Sequence, residues 1–372
     1  MDAAGTPDAE EASGGNSDPA QNTKQGDEGT STGGDDEMVP VPLPTVQVVC
    51  VAAVGRLLGS LQTAKRKEDA REQLGKRFKS MIARGPLRKL ATLPPSWSLL
   101  LDELADRFPN FNSVVEFVRT ECIIASMTRQ SVVRLPPMML AGEPGVGKTA
   151  FAKQLATFLG GGFYSVAMEN PQTGAALSGR TQYWANTRTG KVFDALIDDE
   201  YANPVLSVDE LDKATGHQGY DPMAPLYQFL ERHQAAVFHD ESIPDLPNDA
   251  GHITWLLTAN DLTKVPAPIL GRLRIFDIPT PDAIQARSIL KRIFAETVAE
   301  IVAAGIRDDH IQTTVNLTVS QHALEIIASL PIRQAKIQVR PALARALQRR
   351  AVSLDVCDLT DLATIAATGS CH

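Results

Sequence analysis

The apolar pattern of the chain changes along its length. From Asp2 to Glu37 there is no Val, Ile, Leu, Met or aromatic residue. Such a stretch buries too little surface to offset the entropy of ordering and is expected to be disordered. Past the proline-spaced segment Val39–Pro44, apolar residues recur at helical spacing: Val48, Val49, Val51, Val54, Leu57, Leu58 and Leu61, then Leu74, Phe78, Met81 and Ile82. Gly85-Pro86 ends this pattern, and two further helices are predicted around Leu99–Phe108 and Ser113–Thr128. Short apolar runs then appear at Pro137–Leu140, Phe163–Val166, Val205–Val208, Ile253–Leu257 and Ile275–Ile278. Helical stretches separate the first four, which predicts a parallel sheet built from βαβ units. After Pro281 the chain reads as helical to about Ala367. The expected organisation is an acidic tail over 1–47, a helical N-terminal segment over 48–92, an α/β core over 93–280 and a small helical domain over 281–372. No internal repeat of fixed period is visible.

Charge separates the tail from the rest. The net charge of the 372 residues is −8. Residues 1–47 hold ten acids and one lysine, a charge of −9, which leaves the other 325 residues at +1. The four cysteines are dispersed with no CxxC pair, which argues against a disulfide scaffold or a zinc knuckle. The first residues do not form a secretory signal, and the run Val39–Gly55 is short and broken by three prolines. A cytoplasmic protein without membrane association is expected. Between Lys65 and Lys89 lie ten bases and three acids. This stretch reads as a solvated helix face or, alternatively, as a patch for nucleic acid or an acidic partner.

Chemistry is carried by two motifs. Gly142-Glu143-Pro144-Gly145-Val146-Gly147-Lys148-Thr149 has the GxxxxGK[ST] form, with an apolar strand running in and a helix running out. In that setting backbone N–H groups and a helix N-terminus favour phosphate. Lys148 would reach the β and γ phosphates, and the Thr149 hydroxyl would ligate Mg²⁺. About sixty residues on, Val205-Leu206-Ser207-Val208-Asp209-Glu210 is an apolar strand ending in two acids. Asp209 would hold Mg²⁺, and Glu210 would polarise an attacking water. Ser207 is polar inside this strand, and a backbone hydrogen bond is expected to satisfy it.

Together these motifs resemble the AAA+ ATPases, and within them the ATPase module of Lon proteases. The likeness runs from about Phe108 to Arg350. It includes Asp209-Glu210-Leu211-Asp212-Lys213, Gly219-Tyr220-Asp221-Pro222, Leu257-Thr258-Ala259-Asn260-Asp261-Leu262 and Val265-Pro266-Ala267-Pro268-Ile269-Leu270-Gly271-Arg272. The resemblance implies a P-loop parallel-sheet domain followed by a helical lid, with ATP and Mg²⁺ as cofactors. It implies that Asn260 orients the lytic water and that Arg272 reaches a neighbouring subunit's site, with Arg274 as the alternative. Gly271 stands where Lon-like proteins usually carry Asp. Arg340 would touch the γ-phosphate from the lid, and Phe108, Phe111 and Val114 would line an adenine pocket. Tyr183 and Trp184 fall where the family places a substrate-gripping pore loop.

The implied protein is a homo-oligomeric ring, a hexamer, that hydrolyses ATP to unfold or remodel a polypeptide. The Ser–Lys peptidase domain of Lon is not matched within these residues, so peptidase activity is not expected of them. Two other classes remain: a nucleic-acid-dependent remodeller or loader using Lys65–Lys89, and an ATP-switched regulatory adaptor for a separate peptidase.

Overall fold

The computed structural model describes residues 42–63, 69–168, 173–179, 188–214, 221–304 and 317–359. The tail up to Val41, the basic residues Lys65 to Lys67, Tyr183 and Trp184, and Gly219 and Tyr220 lie outside the described residues.

The N-terminal segment is a short antiparallel ribbon enclosing two helices. Strand β1 (Thr45–Gln47) pairs with β2 (Leu87–Lys89), and helices α1 (Val51–Thr63) and α2 (Asp69–Arg84) lie between them. Its apolar residues do not close a core of their own. Val48, Val49, Val54, Phe78, Met81 and Leu90 are buried in one cluster with Leu196, Leu206 and Trp255 of the α/β region. Bases of this segment engage the acids and carbonyls of the α/β region. Arg77 pairs with Asp194 at 2.7 Å and Asp198 at 2.8 Å, and Lys89 pairs with Glu200 at 2.7 Å. Arg84 donates to the carbonyls of Ile197, Asp198 and Asp199, and Arg88 to that of Ile197. These carbonyls end a helix, where guanidinium groups satisfy orphan acceptors and oppose the helix dipole. The solvated face expected for Lys65–Lys89 is found at Lys76, Lys79, Arg84 and Lys89, which are exposed, whereas Arg77 is half-buried and Arg88 is buried. The acids and carbonyls that draw these bases in lie more than a hundred residues away in sequence.

Helices α3 (Trp97–Arg107) and α4 (Asn112–Ser126), joined by a 3₁₀ turn at Pro109–Phe111, lead into the sheet. In chain order follow β3 (Met138–Ala141), α5 (Lys148–Leu159), β4 (Phe163–Ala167), α6 (Thr173–Ser178), α7 (Lys191–Asp198) and β5 (Val205–Asp209). Then come α8 (Ala224–Phe229), α9 (Arg232–Ala235), a hairpin of β6 (Phe238–His239) and β7 (Pro247–Asn248), β8 (Thr254–Ala259), α10 (Ala267–Leu270) and β9 (Arg274–Asp277). Strands β4, β5, β8, β3 and β9 form one parallel sheet in that order. All five expected apolar runs are strands of it. The three central strands are wholly buried, which explains their continuous apolar character. Alternate residues face two cores: Met139, Leu206 and Leu257 pack on the side of the N-terminal segment, and Met138, Leu140, Val205 and Leu256 on the side of α3, α4 and α5.

The helical region begins with α11 (Ala283–Ala303), whose first turn carries a capping box between Asp282 and Gln285. It continues through β10 (Thr318–Val319), α12 (Gln321–Ala328), α13 (Ile332–Gln348) and β11 (Ser353–Leu354). Phe294, Val298, Leu317, Val339, Leu343 and Ala346 form its core. The short parallel pair β10–β11 interrupts what the pattern reads as wholly helical. The fold is an α/β P-loop sheet followed by a helical region. No helix among the described residues is long and apolar enough to cross a membrane.

Candidate nucleotide site

The loop 142–147 leaves the C-terminal end of β3, which lies between β8 and β9. Two connections diverge at this point of the sheet, and open α/β sheets bind ligands in such crevices. Gly142, Gly145 and Gly147 have φ of +157°, +89° and +106°. A Cβ on Gly142 would also lie 2.4 Å from the Ile278 carbonyl oxygen, so both conformation and space demand glycine there. Gly147 caps α5, which begins with Lys148.

Lys148 ties the loop to the next strand. Its Nζ donates to the carbonyls of Gly142 at 2.6 Å and Glu143 at 3.0 Å, and to Asn260 Oδ1 at 2.8 Å. Burial pushes this amine below the ordinary lysine range, while Asp212, Glu210 and Asp209 oppose the shift. Asn260 follows the end of β8, and its backbone N–H donates to Asp212 Oδ1 at 3.1 Å. Thr149 is exposed in the first turn of α5.

The acids at the end of β5 differ in setting. Asp209 is buried, and its carboxylate accepts from Ser165 Oγ at 3.1 Å, Ser207 Oγ at 3.0 Å and Thr258 Oγ1 at 3.3 Å. Ser207 thus finds a side-chain partner rather than the expected backbone one, because residues two apart on a strand share a face. Glu210 has φ of +59°, a left-handed conformation that costs about 1 kcal/mol and turns its side chain out of the strand. Its N–H donates to Thr258 Oγ1 at 3.0 Å, and its carboxylate lies 2.9 Å from Lys213 Nζ.

The remaining expected residues are distributed around this centre. Arg272 folds back on its own chain, with Nε 2.9 Å from Glu231 Oε1 and the guanidinium 5.7 Å from the Tyr227 ring. Arg274 lies 4.0 Å above the Phe117 ring. Arg340 is exposed on α13. A different residue of that helix borders the P-loop: Arg333 Cβ is 3.5 Å from where a Gly145 Cβ would stand. Arg340 is two turns further along, about 10 Å of helix. Phe111 and Val114 are fully buried; Phe111 stacks on Phe151 at 4.4 Å and lies 3.7 Å from where a Gly147 Cβ would stand. Phe108 is half-buried beside Gly147. Asn110 joins Val146 of the loop to Pro279 of the β9–α11 connection through its Nδ2, at 3.2 and 3.1 Å.

The donor set fits a nucleotide with Mg²⁺. A glycine cradle and an ammonium face a hydroxyl, a buried carboxylate and a second acid, which are oxygen donors of the kind a hard cation takes. Sequence reading missed Thr258, Ser165, Asp212, Asn110 and Arg333. Thr258 and Asp212 stand within the quoted motifs, so their signal was present. The other three act only through contacts between distant segments. A groove of about 670 Å³, lined by Phe294, Val298, Val302 and Leu317 of the helical region, contains none of these residues.

This arrangement defines a P-loop nucleotide-binding domain. Comparison with known proteins gives it a closer kinship. Residues 138–280 match the model of the family described as "ATPase family associated with various cellular activities (AAA)". Lon protease of Nitrosococcus oceani is 31% identical over 169 residues, covering 45% of this chain and 22% of that protein. Lon protease 1 of Thermus thermophilus is 26% identical over 203 residues, covering 55% and 24%. The mitochondrial Lon protease homolog of Emericella nidulans is 26% identical over 223 residues, covering 60% and 19%. Residues 138–280 are thus similar to this AAA family, and the chain, similar over about half its length to Lon proteases, spans less than a quarter of each of these relatives.

Proposed function

We propose that the protein hydrolyses ATP with Mg²⁺ and uses the cycle, as a homo-oligomeric ring, to unfold or remodel a polypeptide. The observation that carries this reading is the bridge from Lys148 to the P-loop carbonyls and Asn260, with Asp209 and Glu210 as the neighbouring acids. A γ-phosphate would take over the Lys148 ammonium. Asn260, released from it, would hold the attacking water, and Glu210 would accept the water's proton. Mg²⁺, held by Thr149 and Asp209, would neutralise charge on the phosphates.

Arg272 would supply positive charge to the neighbouring subunit's site, which requires assembly and departure from Glu231. The lid contact expected of Arg340 passes, in this reading, to Arg333. Tyr183 and Trp184 would grip the polypeptide, and the protein would act in the cytoplasm. The nucleic-acid loader reading is weakened at four of its ten bases, because Arg77, Arg84, Arg88 and Lys89 are engaged by the protein's own acids and carbonyls.

The test is ATP turnover against protein concentration for the parent, Glu210→Gln and Arg272→Ala. Turnover should vanish on dilution to monomers, and Glu210→Gln should bind ATP without hydrolysing it. Full activity in a proven monomer would sink the ring reading, and full turnover in Glu210→Gln would sink the assignment of the base.

A further inference from the structure

Three hydroxyls from three adjacent strands converge on one carboxylate. Ser165 on β4 donates to Asp209 Oδ2, while Ser207 on β5 and Thr258 on β8 donate to Oδ1. Register accounts for the convergence. Ser165 and Ser207 are cross-strand partners, and Ser207 and Asp209 share a face of β5. Thr258 has a second contact, accepting from the Glu210 N–H at the left-handed turn.

Ser207 is 0% exposed and Thr258 2%. Burying a hydroxyl in the middle of a sheet costs free energy unless it is hydrogen-bonded, and an apolar side chain would fill either position. A carboxylate oxygen has about two acceptor positions. Among the described residues, those of Oδ1 are taken by Ser207 and Thr258, whereas Oδ2 has one donor and one position left. Ser165 is exposed, so this hydroxyl shell opens on the Oδ2 side.

We propose that Ser165, Ser207 and Thr258 are positioning residues that lock the Asp209 carboxylate with Oδ2 available to Mg²⁺ or to a water on it, and that Thr258 links this alignment to the turn that sets Glu210. The inference rests on the reading of Asp209 as the acid that serves Mg²⁺. Partners in the outer shell of a metal site typically contribute about 10–100-fold to metal affinity.

The experiment measures the Mg²⁺ concentration that half-saturates binding of a methylanthraniloyl derivative of ATP, and separately the affinity for that nucleotide in EDTA. Ser207→Ala and the near-isosteric Thr258→Val should raise the Mg²⁺ midpoint about 10-fold or more. Affinity in EDTA should stay within about twofold, since no nucleotide contact is removed. Thr258→Ser, which keeps the hydroxyl, should restore most of the midpoint. Ser165→Ala, at an exposed position, keeps the test open if a core variant fails to fold. An unmoved midpoint in all the hydroxyl variants overturns the inference. So does a loss in EDTA as large as the loss in Mg²⁺, or a Thr258→Ser that behaves like Thr258→Val. Asp209→Asn separates the two levels. If it leaves the midpoint unchanged, the role of Asp209 itself fails. If it shifts the midpoint while the hydroxyl variants do not, only the positioning role fails.

Discussion

Replacing Asn260 tests the site through the charge of Lys148. The ammonium has three acceptors, two P-loop carbonyls and Asn260 Oδ1, and burial already lowers its pKa. With the folded-state value lowered, the charge is lost earlier as pH rises, and phosphate affinity goes with it. Asn260→Leu removes one acceptor. A hydrogen bond to a charged group contributes about 1.5–3 kcal/mol. At 1.36 kcal/mol per pH unit this moves the alkaline limit of nucleotide binding down by about one to two units. Asn260→Asp acts in the opposite sense. A negative oxygen at the 2.8 Å position of Oδ1 attracts the ammonium by about 6 kcal/mol at an effective dielectric near 20. Desolvation of the new carboxylate offsets much of that, which leaves an upward shift of about one unit or more. The assay is the affinity for the methylanthraniloyl nucleotide between about pH 7 and pH 11. Asn260→Leu should bring the alkaline limb inward. Asn260→Asp should move it outward while weakening binding throughout, because the carboxylate repels phosphate. Limbs that stay in place, or that move in the same direction, would refute the Lys148–Asn260 linkage.

Other expectations follow from the same geometry. Gly142→Ala, with a Cβ 2.4 Å from the Ile278 carbonyl and φ of +157°, should abolish nucleotide binding and lower stability by about 2 kcal/mol or more in urea titration. Phe78→Ala should cost about 3–5 kcal/mol and leave a single unfolding transition by fluorescence and circular dichroism, since Phe78 is 1% exposed within the core of the sheet. A separate early transition would show that the N-terminal segment is an independent unit. Arg333→Ala should reduce ATP turnover by about 10-fold or more, whereas Arg340→Ala should stay within about twofold; the reverse order in steady-state assays would return the lid contact to Arg340.

Much of the fold could be read locally. The five strands were legible because a buried parallel strand is a short continuous apolar run, and the helices because their apolar positions repeat at the helical period. The P-loop was legible because its glycines, lysine and threonine are consecutive and each answers a local demand. Where the reading departed from the structure, the partner lay elsewhere. Ser207 was expected to bond the backbone, but Asp209 stands two residues along the same face. Phe111 and Val114 were expected to border a base, but both are fully buried in the core. The start of α13 brings Arg333 close to Gly145, which no local string marked.

The amino-acid sequence by itself determined the five strands of the main sheet, most of the helices, the phosphate-binding loop and the strand-end acids, because each depends on neighbours within a few residues. Only the tertiary structure decided the strand order, which sets β8 beside β3 and so Asn260 beside Lys148, 112 positions apart. It also decided the partners of Arg77, Arg84, Arg88 and Lys89, because the acids and helix-end carbonyls between Asp194 and Glu200 are folded against them. Periodicity reports which face of an element is buried. It does not report what is buried against it, and the chemistry of this site is set by that second choice.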